Sequence, residues 1–296
     1  MAADIVIGVP NWASVNATAH VLEIVIEENL GLDVELQNGT NPIVFEAMDK
    51  GSMHAHPEVW MPNQQNLHDT YVKDNGSVVM NQNPVSAEQG MCVPSYIAEQ
   101  YDIKTIDDLS DPDKMAVFDS DGNGTPEVWI GAPGWASTVV EKIRAKSYGY
   151  AETMNLMEMD EALALAQVDN AVAQGENIVF YCYTPHHMFS LYDLVPLSEP
   201  SYDAAEWDVK QPTDDPNWLE NSKAGTAWDA AKLHVFYAGA LEEAQPEAAE
   251  MLSKVKLTTD QVNAIVFALS ADGKDPAEYA REWVDANSDL VDSWFN

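Results

Sequence analysis

Basic side chains are scarce in this chain: 14 Lys and Arg stand against 49 Asp and Glu, for a net charge of −35. Phosphate backbones are held by clustered Lys and Arg, so nucleic acid is excluded as a partner. The acidity either attracts cationic solutes or keeps a solvated surface soluble. The second reading is favoured, because salt of about 1 M cuts the screening length to roughly 3 Å, and it suits a salty habitat. Cysteine is nearly absent, with Cys92 and Cys182 the only two. They form no CxxC pattern, which argues against a thiolate metal site. Each lies in a strand-like run (89–93 and 179–183), so a disulfide in an oxidising compartment and two buried free thiols both remain open. Long apolar runs are missing too. None approaches the roughly 18 residues needed to cross a bilayer, and the chain reads as soluble. It opens Met1-Ala2-Ala3-Asp4 and enters a strand at Ile5, which leaves no room for a signal peptide, although a secreted mature chain restarted with Met would look the same. Also missing are a nucleophile elbow, a Walker loop, GxGxxG and any internal repeat.

What is present suits a large α/β protein. The chain has 296 residues, 46% of them apolar, which favours two domains with sizeable cores. Ile5 to Val9 is a continuous apolar run, as in a buried parallel strand. Val15, Ala19, Leu22 and Ile26 then recur at helical spacing up to Gly31. Leu32, Val34 and Leu36 alternate with acidic residues as a second strand. A turn at 38–42 leads into a short helix ending near Gly51, and Met53 to His56 is a third strand. This β-α-β-α-β order implies a parallel sheet. A second series begins near Val85, with strands expected at 115–118 and 178–183 and helices at 136–147 and 159–174. A polar, Trp-containing loop covers 199–226, Leu233 to Tyr237 returns to strand pattern, and the remainder is helical. Asp275-Pro276-Ala277-Glu278 reads as an N-cap, a proline at the first helical position and an acidic partner. Two series joined near 85–92 and 182–188 imply two lobes, 1–87 with 188–296 and 88–187, with a cleft between them.

Four aromatic residues sit in short motifs where a strand gives way to a loop. They are Trp12 in Pro10-Asn11-Trp12, Trp60 in His56-Pro57-Glu58-Val59-Trp60, Trp135 in Pro133-Gly134-Trp135, and Tyr183 in Tyr183-Thr184-Pro185-His186. Ligands of open α/β sheets bind beyond the carboxyl ends of the strands. Several π-faces converging there suit a methylated ammonium, which carries charge but no N–H. Three or four desolvated cation–π contacts at about 2 kcal/mol each would cover most of a micromolar affinity. No Arg or Lys lies in the four motifs, which mildly favours a ligand with a small oxygen over a carboxylate. The other six Trp, at 129, 207, 218, 228, 283 and 294, read as core.

Two acidic sets bear on metals. Asp119, Asp121, Asn123, Thr125 and Glu127 occupy the places of a calcium loop, with Gly122 at its sixth position. Ile130 stands where an EF-hand has its bidentate Glu, so a true EF-hand is excluded, and a structural calcium competes with a plain polar turn. Glu127 has a second option, to face a ligand held by Trp135. His54, His56 and Glu58 alternate and could share one strand face, the seed of a zinc-hydrolase alternative that also wants a third distant ligand and a general base; His68, His186 or His187 could be recruited, but their spacing offers no support.

Taken together, the chain resembles the substrate-binding proteins of ABC importers for quaternary amines, the glycine betaine, choline and trimethylamine N-oxide group. The likeness covers nearly the whole chain. It rests on Pro10-Asn11-Trp12-Ala13, on Gly51 through Trp60, on Gly134-Trp135-Ala136, on Thr184 to Phe189 with Tyr192-Asp193-Leu194, and on Gly273-Lys274-Asp275-Pro276. Within that family it looks most like the marine bacterial trimethylamine N-oxide-binding proteins, through its acidity and the insertion between Asp119 and Trp135. The resemblance implies a type II periplasmic binding protein fold, each lobe a parallel-rich sheet flanked by helices and joined by two crossover hinge strands. It further implies an aromatic box of Trp12, Trp60, Trp135 and Tyr183, with His186 at the ligand's oxygen. Many relatives have Trp in place of Tyr183 and an aromatic in place of His187. A periplasmic monomer is expected that is not an enzyme, needs no cofactor for chemistry, and partners an amine and the membrane permease of an importer.

Overall fold

A computed structural model describes residues 3–296; Met1 and Ala2, read above as leaving no room for a signal peptide, lie outside the described residues. The strands are β1 (Ile5–Val9), β2 (Val34–Asn38), β3 (Ala55–Met61), β4 (Val78–Met80), β5 (Val85–Pro94), β6 (Glu127–Gly131), β7 (Asn155–Glu158), β8 (Phe180–Thr184), β9 (Leu194–Pro196), β10 (Trp207–Asp208), β11 (Lys223–Ala224) and β12 (Ala231–Ala238). The chain divides into two compact units. One comprises the residues up to Ala87, Thr184–His187 and Ala230–Asn296; the other comprises Glu88–Tyr183 and Met188–Asp229.

In the first unit β1 pairs in parallel with β2 and with β3. β12 then runs antiparallel to β3, to β4 and to the first residues of β5. The helix Ala13–Leu30 packs on this sheet, and Gly31 ends it at φ 67°, a left-handed geometry that only glycine adopts cheaply. Val44, Phe45, Met48, Val59 and Phe236 form a fully buried core against the helix Asn41–Asp49. At about 25 cal/mol per Å² of buried apolar surface, such clusters supply the main stabilising contribution. Asp275 accepts a hydrogen bond from the Glu278 backbone N–H at 3.0 Å with Pro276 beside it, the expected cap of the helix Pro276–Ala286.

In the second unit β6 pairs in parallel with β7 and with β8. β9 lies antiparallel to Cys92–Pro94 of β5. Cys92 and Cys182 are joined in a disulfide with a Cα–Cα distance of 5.8 Å, which resolves the alternative left open by the sequence. The strand expected at 115–118 is helical, Pro112–Met115 followed by a tighter turn at Ala116–Phe118. Asp111 caps it by accepting from the Asp113 N–H at 3.0 Å, and a four-residue apolar run cannot by itself separate strand from buried helix. The strand role falls to Glu127–Gly131.

Residues 188–229, grouped from the sequence with the first lobe, pack in the second unit. A buried cation explains this. Arg144, fully buried on the helix Ala136–Tyr148, donates to the Thr226 carbonyl and pairs with Glu199 and with Glu141. Its guanidinium lies 5.5, 5.9 and 5.8 Å from the rings of Tyr148, Trp207 and Trp228. Burial alone would lower the Arg144 pKa, but the two carboxylates outweigh it and hold the group above its ordinary value. Lys146 Nζ donates to the carbonyls of Leu219, Glu220 and Ser222 at 2.6, 3.0 and 2.9 Å. The long polar loop is thus gathered onto one helix by cations that serve its orphan carbonyls.

Candidate functional site: two aromatic pairs

The first unit places Trp12 at the N-cap of the helix Ala13–Leu30, with extended backbone, three residues beyond the end of β1. Trp60 is the penultimate residue of β3, the parallel neighbour of β1. Both rings therefore leave the sheet at carboxyl strand ends, the place where open α/β sheets take ligands. They are 7% and 8% exposed. One buried carboxylate holds them: Glu58 Oε1 accepts from Trp12 Nε1 at 2.9 Å and from Trp60 Nε1 at 3.1 Å. Ser14 Oγ donates to the same oxygen at 2.5 Å, and Thr18 Oγ1 reaches Oε2 at 3.3 Å. Burial pushes the Glu58 pKa up to about 7, with the four donors opposing that rise.

The second unit repeats the arrangement. Trp135 is the N-cap of the helix Ala136–Tyr148, four residues beyond β6, and Tyr183 is the penultimate residue of β8, the parallel neighbour of β6. The turn depends on Gly131 at φ 123°, where a Cβ would meet Thr138 Oγ1 at 2.3 Å. Thr138 Oγ1 donates to the Ala132 carbonyl at 2.7 Å, which folds the 132–135 loop back onto the helix. Trp135 and Tyr183 meet edge to face at a centroid distance of 6.2 Å. Trp129 and Tyr181 complete a four-ring group, each within 6.5 Å of Trp135. The Tyr183 hydroxyl donates to the buried Glu161 carboxylate.

The structure therefore brings Trp12 together with Trp60, and Trp135 with Tyr183. His186 lies in the first unit, 1% exposed, its ring stacked on His187 at 4.4 Å. The His54, His56 and Glu58 alternation does not form a metal set. His54 Nδ1 accepts from the Val6 N–H at 2.8 Å, His56 Nε2 meets Asn41 Oδ1 at 2.8 Å, and Glu58 serves the indoles. Because His56 Nδ1 accepts from the Glu58 N–H at 3.1 Å, its proton sits on Nε2, and burial pushes its pKa down to about 3.

At the acidic loop, Asp119, Asp121 and Glu127 offer oxygens that all lie within 4.8 Å of one another. Gly124 N–H donates to Asp119 Oδ2 at 2.8 Å and Asn123 N–H to Asp121 Oδ1 at 3.0 Å, which curls the loop around these carboxylates. Thr125 N–H donates to Asn123 Oδ1 at 2.8 Å. Asp119 Oδ1 is buried with no hydrogen-bond partner among the described residues, so the set fits a hard cation. Glu127 Oε2 accepts from the Ser120 N–H and hydroxyl, both at 3.1 Å.

Sequence reasoning missed Trp129 and Tyr181 as members of the second ring group, and Glu161 as its anchor. Trp129 reads as core and is buried there at 5% exposure, so it meets Trp135 from within the core. Glu161 follows Asp160 at a helix start, which reads as capping only. Glu58 did carry a signal: it stands two residues before Trp60 on a fully buried strand, so both side chains share a face.

The chain belongs to the family of the substrate binding domain of ABC-type glycine betaine transport systems, matched over residues 3–286. It is 25% identical over 217 residues to the glycine betaine-binding periplasmic protein OusX of Dickeya dadantii, a match covering 71% of this chain and 64% of that one. A glycine betaine/proline betaine-binding periplasmic protein of Salmonella typhimurium is 25% identical over 219 residues, covering 70% and 63%. The matched stretch thus spans under two thirds of the length of these curated relatives. Lactococcal OpuAC, in its closed form with glycine betaine, superposes with a TM-score of 0.76 at 23% identity, covering 99% of both chains. A choline binding protein in complex with choline gives 0.75 at 18% identity, covering 98% of this chain and 90% of the other. The architecture is the α/β fold of two-lobe periplasmic binding proteins. No helix among the described residues is long and apolar enough to cross a membrane.

Proposed function

We propose that this protein captures a small trimethylammonium-type solute, best matched by trimethylamine N-oxide, and hands it to the membrane permease of an ABC importer. It does so as a periplasmic monomer. Trp12, Trp60, Trp135 and Tyr183 supply the rings, and His186 meets the polar end of the ligand. The observation that carries this reading is the duplicated placement of rings. In each unit one aromatic caps a helix just after a strand, and a second ends the parallel neighbour strand. Three or four such faces offer a methylated cation about 6–8 kcal/mol before costs, of the order of a micromolar affinity.

Glycine betaine or choline is the second reading. The family and the names of the Dickeya and Salmonella relatives favour it. Against the carboxylate of betaine stands the lack of Arg or Lys in all four motifs. Isothermal titration with trimethylamine N-oxide, choline, glycine betaine and carnitine separates these readings. Saturable binding of at least one methylated amine, tightest for trimethylamine N-oxide, is expected; no saturable binding of any of the four would remove the proposal.

A structural calcium ion at Asp119, Asp121, Asn123, Thr125 and Glu127 belongs to the same proposal. Its support is the three gathered carboxylates and the partnerless Asp119 oxygen. Its role is to stiffen the loop that leads into β6 and on to Trp135.

A further inference from the structure

Glu58 is a carboxylate buried at 2% exposure within β3, and the ligand reading gives it no role. A buried ionisable group is costly unless something repays it. Among the described residues nothing basic does so: its partners are the indoles of Trp12 and Trp60 and the hydroxyls of Ser14 and Thr18. Behind it lies a cavity of about 20 Å³, space for about one water, bordered by Thr18, Asn83 and His234. Two indoles 48 residues apart in sequence thus converge on a single oxygen.

We propose that Glu58 is the positioning residue of the cation site: its carboxylate locks Trp12 and Trp60 into one rigid pair and sets a negative charge behind both rings. This rests on those two rings facing the ligand. The physics has two parts. Trp12 is on a loop and Trp60 on a strand, and a shared acceptor removes the side-chain freedom that ligand binding would otherwise have to freeze. In addition, an N–H donated to an anion enriches the indole π-face, and the anion itself attracts a cation across a medium of low dielectric constant. A bound cation favours the ionised carboxylate in return, so the two are linked. The titratable groups packed around Glu58 are His56 on its own strand and His234 on β12. Burial lowers both their pKa values, that of His56 to about 3, so His56 keeps one charge between pH 6 and 8, and the Glu58→Gln profile separates any contribution of His234.

The test compares choline, whose ammonium is charged at every pH, with its neutral isostere 3,3-dimethylbutan-1-ol. Titrations use wild type, Glu58→Gln and Glu58→Asp. Wild-type affinity for choline is expected to fall severalfold as pH drops from 8 to 6, while affinity for the neutral alcohol stays level. Glu58→Gln should weaken choline by about tenfold or more and the alcohol by less than about threefold, with the pH dependence gone; Glu58→Asp should restore part of both. Equal weakening of the two probes, or an unchanged pH profile in Glu58→Gln, would reduce Glu58 to a packing residue and overturn the inference. Should Glu58→Gln fail to fold, the wild-type pH profiles and Glu58→Asp decide alone. If wild-type protein binds choline and Trp12→Ala does not weaken it, the ligand assignment itself is wrong and the inference falls with it.

Discussion

The hydroxyl of Tyr183 is hydrogen-bonded to the carboxylate of Glu161, which ties the end of β8 to the first turn of the helix Glu161–Gln174. Ring and anchor are separable by mutation. Tyr183→Phe keeps the π-face and should change amine affinity by less than about threefold, while costing about 1–2 kcal/mol of stability through the buried carboxylate that loses a donor. Tyr183→Ala removes the face and should weaken binding by at least about tenfold. Calorimetry and urea melts of the two variants separate these effects, and equal affinity for both would remove Tyr183 from the site.

Truncating a ring that faces the ligand removes a cation–π contact outright. Trp12→Ala, Trp60→Ala and Trp135→Ala should each weaken methylated-amine binding by tenfold or more, about 1.4 kcal/mol. Unchanged calorimetric affinity in any two of the three would show that the rings serve packing alone.

The Cys92–Cys182 disulfide closes a loop of 90 residues. Constraining an unfolded chain over that separation is worth about 4–5 kcal/mol in the loop-entropy model. The Cys92→Ser/Cys182→Ser double variant should lose stability of this order in urea titration. A loss under about 1 kcal/mol would mean that the unfolded state is already compact there.

Calcium should raise the melting temperature of wild-type protein and leave that of Asp121→Ala unmoved. In chelator the two should melt alike. A drop for Asp121→Ala that persists without calcium would assign the loop to hydrogen bonding alone.

His56 gives an acid-sensitive contribution of known sign. Its pKa in the folded state, pushed down by burial to about 3, lies below the ordinary value near 6.5. The unfolded chain therefore binds a proton first, and the stability contributed by neutral His56 is complete above about pH 6.5 and lost as pH falls toward 3. His56→Gln should flatten the fall of unfolding free energy between pH 6.5 and 4, by a few kcal/mol at most. An identical slope in the variant would place the acid sensitivity elsewhere.

Much of the site was legible because its rings sit in short, local motifs. Pro10-Asn11-Trp12 and Pro133-Gly134-Trp135 each announce a strand passing into a loop, and the structure makes both Trp helix N-caps. The parallel pairing of β1 with β2 and β3 was likewise implied by element order. What the sequence hid was pairing at a distance. His54 falls just before β3, and His54, His56 and Glu58 find their partners in Val6, Asn41, Trp12 and Trp60. The run at 115–118, expected as a strand, is helical: Asp111 caps a helix there, and Met115 and Phe118 are buried from it, so the apolar run alone did not separate the two states.

By itself the sequence determined the local periodicities, the caps, the acidic character and the positions of the rings at strand ends. These depend on residues within a turn or two of one another. Only the tertiary structure decided that 188–229 joins the second unit, that Cys92 meets Cys182, and that one carboxylate serves two indoles. Those outcomes are set at a distance: a desolvated cation or carboxylate is stable only where distant chain supplies its partner, a disulfide needs two strands brought side by side, and spacing along the sequence carries no record of either meeting.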